Sequence, residues 1–380
     1  MQNVTAAGLG IGDDYPPRIM GVLNVSEESP YDPSVYDDPG EAAAYVDEEL
    51  VGEGADIVDV GLESANKRFE VLSAEQELDR LDTAVEAIES VSGDAVFSIE
   101  TRYAEVADEA LSRGFDMVND ICGFADPAMP DVCREHDAAV VKMASPPDLE
   151  RPGAVEKPDD IYDALQREGL TDKTVVDPAF GGWSEAKTLE DDRETFRRLR
   201  EFRGLGRPIL VSINRKNFLR DLAGRSTEEA LPVSLAATSM AVERGAHVVR
   251  THDVAETADA AKIGAAFARE RVTEDADGVD VEELDATTAD EAARHLDRLG
   301  ADRNRAEEMS ARVFELSGLS ANERDRLVAA AADSGAVAAP GESGLLLAGS
   351  PAVLDRLRTL VVEPSERLQR ALESVGEPKR

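Results

Sequence analysis

An α/β fold, a (β/α)8 TIM barrel with a small C-terminal α/β appendage, is predicted by three features of this 380-residue chain. Eight short β-rich runs follow one another, each run is succeeded by a longer segment with helical spacing, and the runs end in polar side chains. Eight alternating repeats close a parallel barrel sheathed in helices. A doubly wound open sheet, the competing fold, would carry a G-x-G-x-x-G turn after its first strand, and this chain has none there.

The expected strands are "RIMGVLNV" (18–25), "DIVDVG" (56–61), "AVFSIE" (95–100), "MVNDIC" (117–122), "AVVKMA" (139–144), "TVVDPA" (174–179), "PILVSIN" (208–214) and "VVRTHD" (248–253). Between them lie amphipathic stretches such as 73–91 and 102–114, whose apolar residues fall three and four apart. Gly-containing signals such as "GEGADI" and "ERGAHVV" stop a helix and feed the next strand.

Composition narrows the function. The formal net charge is −38, from 79 acidic and 41 basic residues. The acids are spread over nearly every expected helix, which reads as a solvated shell suited to a high-salt interior. The same charge argues against nucleic acid or an anionic membrane as partner. Cys122 and Cys133 are too few for a disulfide framework, and His136, His247 and His295 lack zinc-ligand spacing or strand-end placement. With no signal-peptide pattern at residues 1–17 and no long apolar run, a cytoplasmic location is expected.

In a barrel the C-terminal strand ends converge on one face, where the chemistry collects. Here they carry Asn24, Asp59, Glu63, Ser64, Glu100, Asn119, Asp120, Lys142, Asp177, Asn214, Arg215, Lys216, Arg250, His252 and Asp253. Asp120, Asp253 and Ser64 have an equally good explanation as caps and turn residues. Lys216, Arg250 and His252 stand at the neighbouring seventh and eighth strand ends, where barrels commonly hold phosphate. Glu100, Asn119 and Asp177 suit the edge of a flat heterocycle. Asn24, a single oxygen ligand, suits Mg²⁺ held together with a substrate phosphate. There is no G-x-S-x-G nucleophile motif.

In order, "IMGVLNVSEES", "ADIVDVGLES", "SIET", "VNDI", "VDPAFG", "INRK" and "RTHDV" resemble the signatures of dihydropteroate synthase over roughly residues 18–265. The resemblance implies a homodimeric barrel that joins hydroxymethyl-dihydropterin pyrophosphate to p-aminobenzoate and releases pyrophosphate. It assigns the pterin to Glu100 (where the family has Asp), Asn119, Asp177 and Lys216. It assigns the pyrophosphate to Asn24, Arg250 and His252, with Mg²⁺ at Asn24, and gives Asp59 the ordering of nearby loops. Lys216, Arg250, His252 and Asp59 form the expected catalytic set.

The chain departs from that family in its second loop, where "GLESANKR" puts Ala65 and Asn66 at Thr and Arg positions; Ser64, Lys67 and Arg68 are then the candidate acceptor-loop residues. It also has Gly182 where a ring-stacking Phe is common, with Trp183 beside it. The expected domains are an N-terminal extension (1–17), the barrel (18–271) and an appendage (272–380). The appendage begins with an acidic linker and a helix pattern, and ends with two strands around a Gly turn and a further helix; its "APGESG" lacks the Lys and Ser/Thr of a P-loop. The rival functions are a pterin barrel of the methyl-transfer kind and a non-catalytic pterin-binding or scaffold protein.

Overall fold

The structure is a computed structural model that describes residues 1–25, 35–36, 38–63, 71–181, 184, 186–276, 279–362 and 364–376. The chain divides into two compact units, residues 1–270 and 271–380.

The first unit opens with a hairpin, β1 (Val4–Ala6) and β2 (Leu9–Ile11). Ala7 and Gly8 between them have φ of 46° and 90°, the two left-handed residues that a two-residue hairpin turn requires. The barrel strands follow: β3 (Arg18–Asn24), β4 (Ile57–Gly61), β5 (Val96–Thr101), β6 (Met117–Asp120), β7 (Ala139–Met143), β8 (Thr174–Asp177), β9 (Leu210–Val211) and β10 (Val248–Thr251). They pair in parallel in the order β8-β7-β6-β5-β4-β3-β10-β9, and a parallel bridge between Val176 and Ile209 joins the two ends. All eight expected strands are present and the barrel closes.

Strand alternation explains what fills it. One apolar residue from each strand, Met20, Ile57, Val96, Met117, Ala139, Val175, Leu210 and Val248, forms a buried layer with Val4, Ala6 and Ile11 of the hairpin. The N-terminal segment, expected as an extension, thus packs into that layer through three apolar side chains. Asp13 holds the segment further, accepting from Arg203 at 2.8 Å and lying 3.1 Å from His247 Nε2. Two residues further along each strand, on the same face, come Val22, Asp59, Ser98, Asn119, Val141, Asp177, Ser212 and Arg250. One pleat above an all-apolar layer, most of the interior positions are polar. The larger core lies between the outward strand faces and the surrounding helices.

The second unit holds a three-stranded antiparallel sheet, β13 (Arg312–Ser317), β15 (Gly344–Gly349) and β14 (Val337–Pro340), in that spatial order. Its core of Leu316, Leu327, Leu345, Leu347, Leu354 and Leu357 joins the sheet to helices 321–334 and 351–360. The expected strand pair and helix at 335–357 are there. The segment expected as an acidic linker instead carries a hairpin, β11 (Thr273–Ala276) with β12 (Val279–Glu282), and the strand 312–317 was not anticipated. In "APGESG" Gly341 donates to the Gly344 carbonyl at 2.8 Å, which makes it a hairpin turn.

Candidate functional site

A cavity at the C-terminal end of the barrel is lined by Glu100, Asn119, Ile121, Met143, Asp177, Ala179, Phe180, Ser212, Lys216 and Arg250. All four residues expected to face a heterocycle, Glu100, Asn119, Asp177 and Lys216, line it, together with Arg250. The reason is strand parity: each lies an even number of residues from a buried interior position on its own strand or, for Lys216, just beyond β9.

Arg250 links two strands across the barrel. Its Nε donates to Asp59 Oδ2 at 2.7 Å and its Nη2 to Glu100 Oε2 at 2.7 Å. Asn119 Nδ2 donates to the same Asp59 oxygen at 2.9 Å, while Asp59 Oδ1 is buried without a hydrogen-bond partner. Burial pulls the Arg250 guanidinium down, but Glu100 and Asp59 more than offset this and hold it above its ordinary value. Burial pushes the Glu100 carboxyl up, against the opposing pull of Arg250.

Asp177 ends β8 and accepts the Ala179 amide at 2.7 Å through Oδ1. Burial lifts its carboxyl to about 6, although that backbone bond, Lys216 and Arg250 pull the other way. Lys216 is lowered, first by burial and then by the Arg250 charge. Two non-glycine residues beside these groups lie in the left-handed region, Ala179 at φ 60° and Arg215 at φ 51°. Such backbone costs on the order of 1–3 kcal/mol and persists only where its surroundings enforce it. Arg215 is held by its amide to Ser234 Oγ at 2.8 Å and by two bonds to Asp253 at 2.9 and 2.8 Å. The turn so fixed delivers Lys216 to the cavity wall, where a Cβ added at Gly181 would lie 3.0 Å from its Nζ.

His252 and Asn24 do not line this cavity. His252 is pulled down to about 3, by burial and then by Arg250, so its imidazole is neutral at pH 7. Asn24 ends β3, and its carbonyl accepts the Tyr36 amide at 3.0 Å. Ser64, Lys67, Arg68, Gly182 and Trp183 lie outside the described residues.

Two strand-end readings are corrected, and for Asp120 the turn alternative stands. Lys142 sits on the outward parity of β7, since Met143 takes the cavity, and donates to the Gly169 carbonyl at 2.9 Å. Asp253, read as a possible helix cap, makes no side-chain cap and instead accepts from Arg215 and from Asn214 at 2.8 Å. Asp120 is a turn residue, its carboxylate accepting the Cys122 and Phe124 amides at 2.8 and 2.6 Å.

Sequence reasoning missed several buried polar groups around the rim. Lys187, 1% exposed at its side chain, donates to the Ala179 carbonyl at 2.8 Å and pairs with Asp192 at 3.1 Å. Arg102 bonds Glu63 Oε2 and the Leu149 carbonyl, each at 2.7 Å. Ser212 could have been found, being two residues past interior Leu210. Lys187 and Arg102 could not, since neither belongs to a recognised motif.

Comparison with known proteins agrees with this geometry. Residues 20–252 match the family described as pterin binding enzyme. The dihydropteroate synthase of Bacillus subtilis is 32% identical over 253 residues, covering 64% of this chain and 86% of that protein. A probable bifunctional folylpolyglutamate synthase/dihydropteroate synthase of Halobacterium salinarum is 34% identical over 260 residues. That match takes in 65% of this chain and only 31% of the relative, so the chain spans about a third of the bifunctional protein. A dihydropteroate synthase from Coxiella burnetii, solved with pteroic acid, superposes with a TM-score of 0.58 at 28% identity, over 70% of this chain and 98% of that one. A family match over more than half of the chain, on a barrel whose cavity gathers Glu100, Asn119, Asp177, Lys216 and Arg250, settles kinship: this chain belongs to the pterin-binding enzymes.

Proposed function

We infer that the chain is a dihydropteroate synthase, a transferase that joins hydroxymethyl-dihydropterin pyrophosphate to p-aminobenzoate. The observation that carries this is one cavity combining an acidic and amide edge (Glu100, Asn119, Asp177) with two cations (Lys216, Arg250). The acceptors match the N–H groups of a pterin, and the cations match a diphosphate.

In the reaction the methylene carbon–oxygen bond breaks and pyrophosphate leaves with the electron pair. The amine nitrogen forms the new bond and loses a proton. Positive charge develops on the pterin side, where Asp177 and Glu100 stand, and negative charge on the leaving group, which Arg250 and Lys216 offset. Both interactions strengthen as the bond breaks, which is the condition for lowering the barrier. No enzyme-bound covalent intermediate is required.

Magnesium is part of this proposal in a limited form. Among the described residues no group of three or more His, Cys, Asp or Glu side chains could hold a metal, and Asn24 offers one amide oxygen. That donor set fits Mg²⁺ arriving with the diphosphate and keeping several waters, an ion that would neutralise leaving-group charge. We further propose a homodimer built on helices 231–243 and 254–266. Gly264 lies so close to Ser239 that an added Cβ would be 2.5 Å from its carbonyl oxygen, and Met240, Ile263 and Phe267 remain exposed along this helix pair. No helix among the described residues is long and apolar enough to cross a membrane, and a cytoplasmic, salt-rich setting is the one the −38 charge favours.

The test is pyrophosphate release on mixing pterin pyrophosphate, Mg²⁺ and p-aminobenzoate in molar KCl. Release dependent on both organic substrates is expected. Its absence, with pterin still bound and pyrophosphate unable to compete, would move the chain to the methyl-transfer or non-catalytic class.

A further inference from the structure

We propose that the buried ion pair of Lys187 with Asp192 is a positioning element for the pterin half of the site, clamping the loop after β8 that forms the cavity wall and setting the charge beside Lys216. It rests on the pterin-binding part of the reading above, and not on the transfer to p-aminobenzoate.

The loop leaves β8 in a conformation that needs support, since Ala179 lies at φ 60°. Three hydrogen bonds supply it. The Ala179 amide donates to Asp177 Oδ1 at 2.7 Å, Lys187 Nζ donates to the Ala179 carbonyl at 2.8 Å, and the Gly181 amide donates to Asp192 Oδ1 at 3.3 Å. Lys187 and Asp192 close on each other at 3.1 Å, with only 1% and 5% of their side chains exposed. One ion pair therefore holds the backbone on both sides of Phe180, and both Ala179 and Phe180 line the cavity. The Phe180 ring packs against Phe196 and Phe218, with centroids 6.0 and 5.7 Å away. The following helix, Leu189–Arg197, builds the clamp: Thr188 and Asp191 form its capping box, and Asp192 and Phe196, one turn apart, share its buried face.

A buried ion pair is weak evidence for stability, because desolvation offsets the attraction. The charges of this pair act instead on the cavity's own ionisable groups. Burial lowers Lys216 first, and then Arg250; Asp177 and Asp192 oppose this, while Lys187 adds to it. Lys187 also joins Lys216 and Arg250 in pulling Asp177 down against burial. His252, whose imidazole feels the Lys216 charge, is neutral at pH 7. The clamped loop also meets Lys216 sterically, since a Cβ added at Gly181 would lie 3.0 Å from its Nζ. Neither Lys187 nor Asp192 lines the cavity, so their effect on the ligand passes through Ala179, Gly181, Asp177 and Lys216.

Asp192→Asn, Lys187→Met and the double variant test this in molar KCl, by calorimetry of hydroxymethyl-dihydropterin pyrophosphate binding between about pH 5 and 10. Each single variant is expected to bind about tenfold more weakly at neutral pH, the loss of one charge-assisted linkage. The alkaline limb, where Lys216 loses its proton, should move down by about half a pH unit or more in Asp192→Asn and up in Lys187→Met. The ligand's own titrations are common to all four proteins. The double variant leaves no unpaired charge buried, so it serves where a single variant unfolds. It should bind at least about fivefold more weakly than the parent, with its alkaline limb near the parent's. Parent-like affinity in the double variant overturns the proposal, and so do single-variant limbs that fail to move in opposite directions, which would mark a merely structural pair. If the unaltered protein binds the ligand but releases no pyrophosphate with p-aminobenzoate, the synthase reading fails and this inference is still decided by the binding data; if it does not bind the ligand, both fail.

Discussion

Asp59 and Arg250 meet at 2.7 Å across the interior of the barrel, a fully buried carboxylate against a guanidinium that also holds Glu100. In the free protein the cation expected to meet the diphosphate is therefore already engaged by two acids. Arg250→Met would leave both acids buried without it, and breaking such a pair costs about 3–5 kcal/mol. We expect a drop in the thermal midpoint together with a loss of roughly 10²–10³ in kcat, as for removal of a single preorganised electrostatic group. Asp59→Asn should lower stability less and leave pyrophosphate affinity higher than the parent's, since one competitor for Arg250 loses its charge. Calorimetry of pyrophosphate binding to Asp59→Asn and to the parent decides it; equal affinities would show that Asp59 does not compete.

Asp177 gives a pH dependence of defined sign. Its folded pKa of about 6 lies above the ordinary 3.8, so the folded state holds this proton more tightly than the unfolded chain. Its contribution to stability is complete below 3.8 and disappears as pH rises through 6. Binding runs the opposite way, because ring N–H donors need the ionised carboxylate. Pterin KM should thus rise as pH falls from 7 to 5, and Asp177→Asn should bind weakly with a flat profile. A parent profile flat over that range would refute the assignment.

Much of this site was legible because strand parity is legible. Once Ile57, Val96, Met117, Val175 and Val248 are seen to face inward, Asp59, Glu100, Asn119, Asp177 and Arg250 must share the interior. What escaped were groups whose role depends on contacts that strand parity does not set. Lys142 looked like a strand-end cation, but one step of parity turns it away from the cavity. Arg102 and Lys187 act through the carbonyls of Leu149 and Ala179, pairings that no local pattern announces. The hairpin at 273–282 was hidden by its acidic composition, which masked the alternation of Val279 and Val281.

His252 carries a different expectation from Arg250. Held down to about 3, it is neutral at pH 7 and contributes no resting positive charge. Its own stability contribution is present above 6.5 and fades as pH falls toward 3. His252→Gln should therefore retain pyrophosphate affinity within a few fold at pH 7.5, whereas Arg250→Lys should not. A loss of a hundredfold or more in His252→Gln would mean that the imidazole becomes charged when the anion arrives.

Salt dependence tests the reading of the surface. At −38, like charges repel across a molecule of this size, and unscreened repulsion disfavours the compact state. Raising KCl from 0.1 M to 1 M shortens the screening length from about 10 Å to about 3 Å. The interior pairs respond far less: Lys187 with Asp192 and Arg250 with Asp59 are largely shielded from solvent and keep most of their strength. The thermal midpoint should climb steeply with KCl up to about 1 M, with KCl and sucrose distinguishable because sucrose does not screen charge. Replacing eight exposed Glu or Asp residues on the barrel helices by Gln or Asn should flatten that climb without changing pterin affinity in molar salt. A midpoint insensitive to KCl in the parent protein would show that the acidic shell is tolerated without screening.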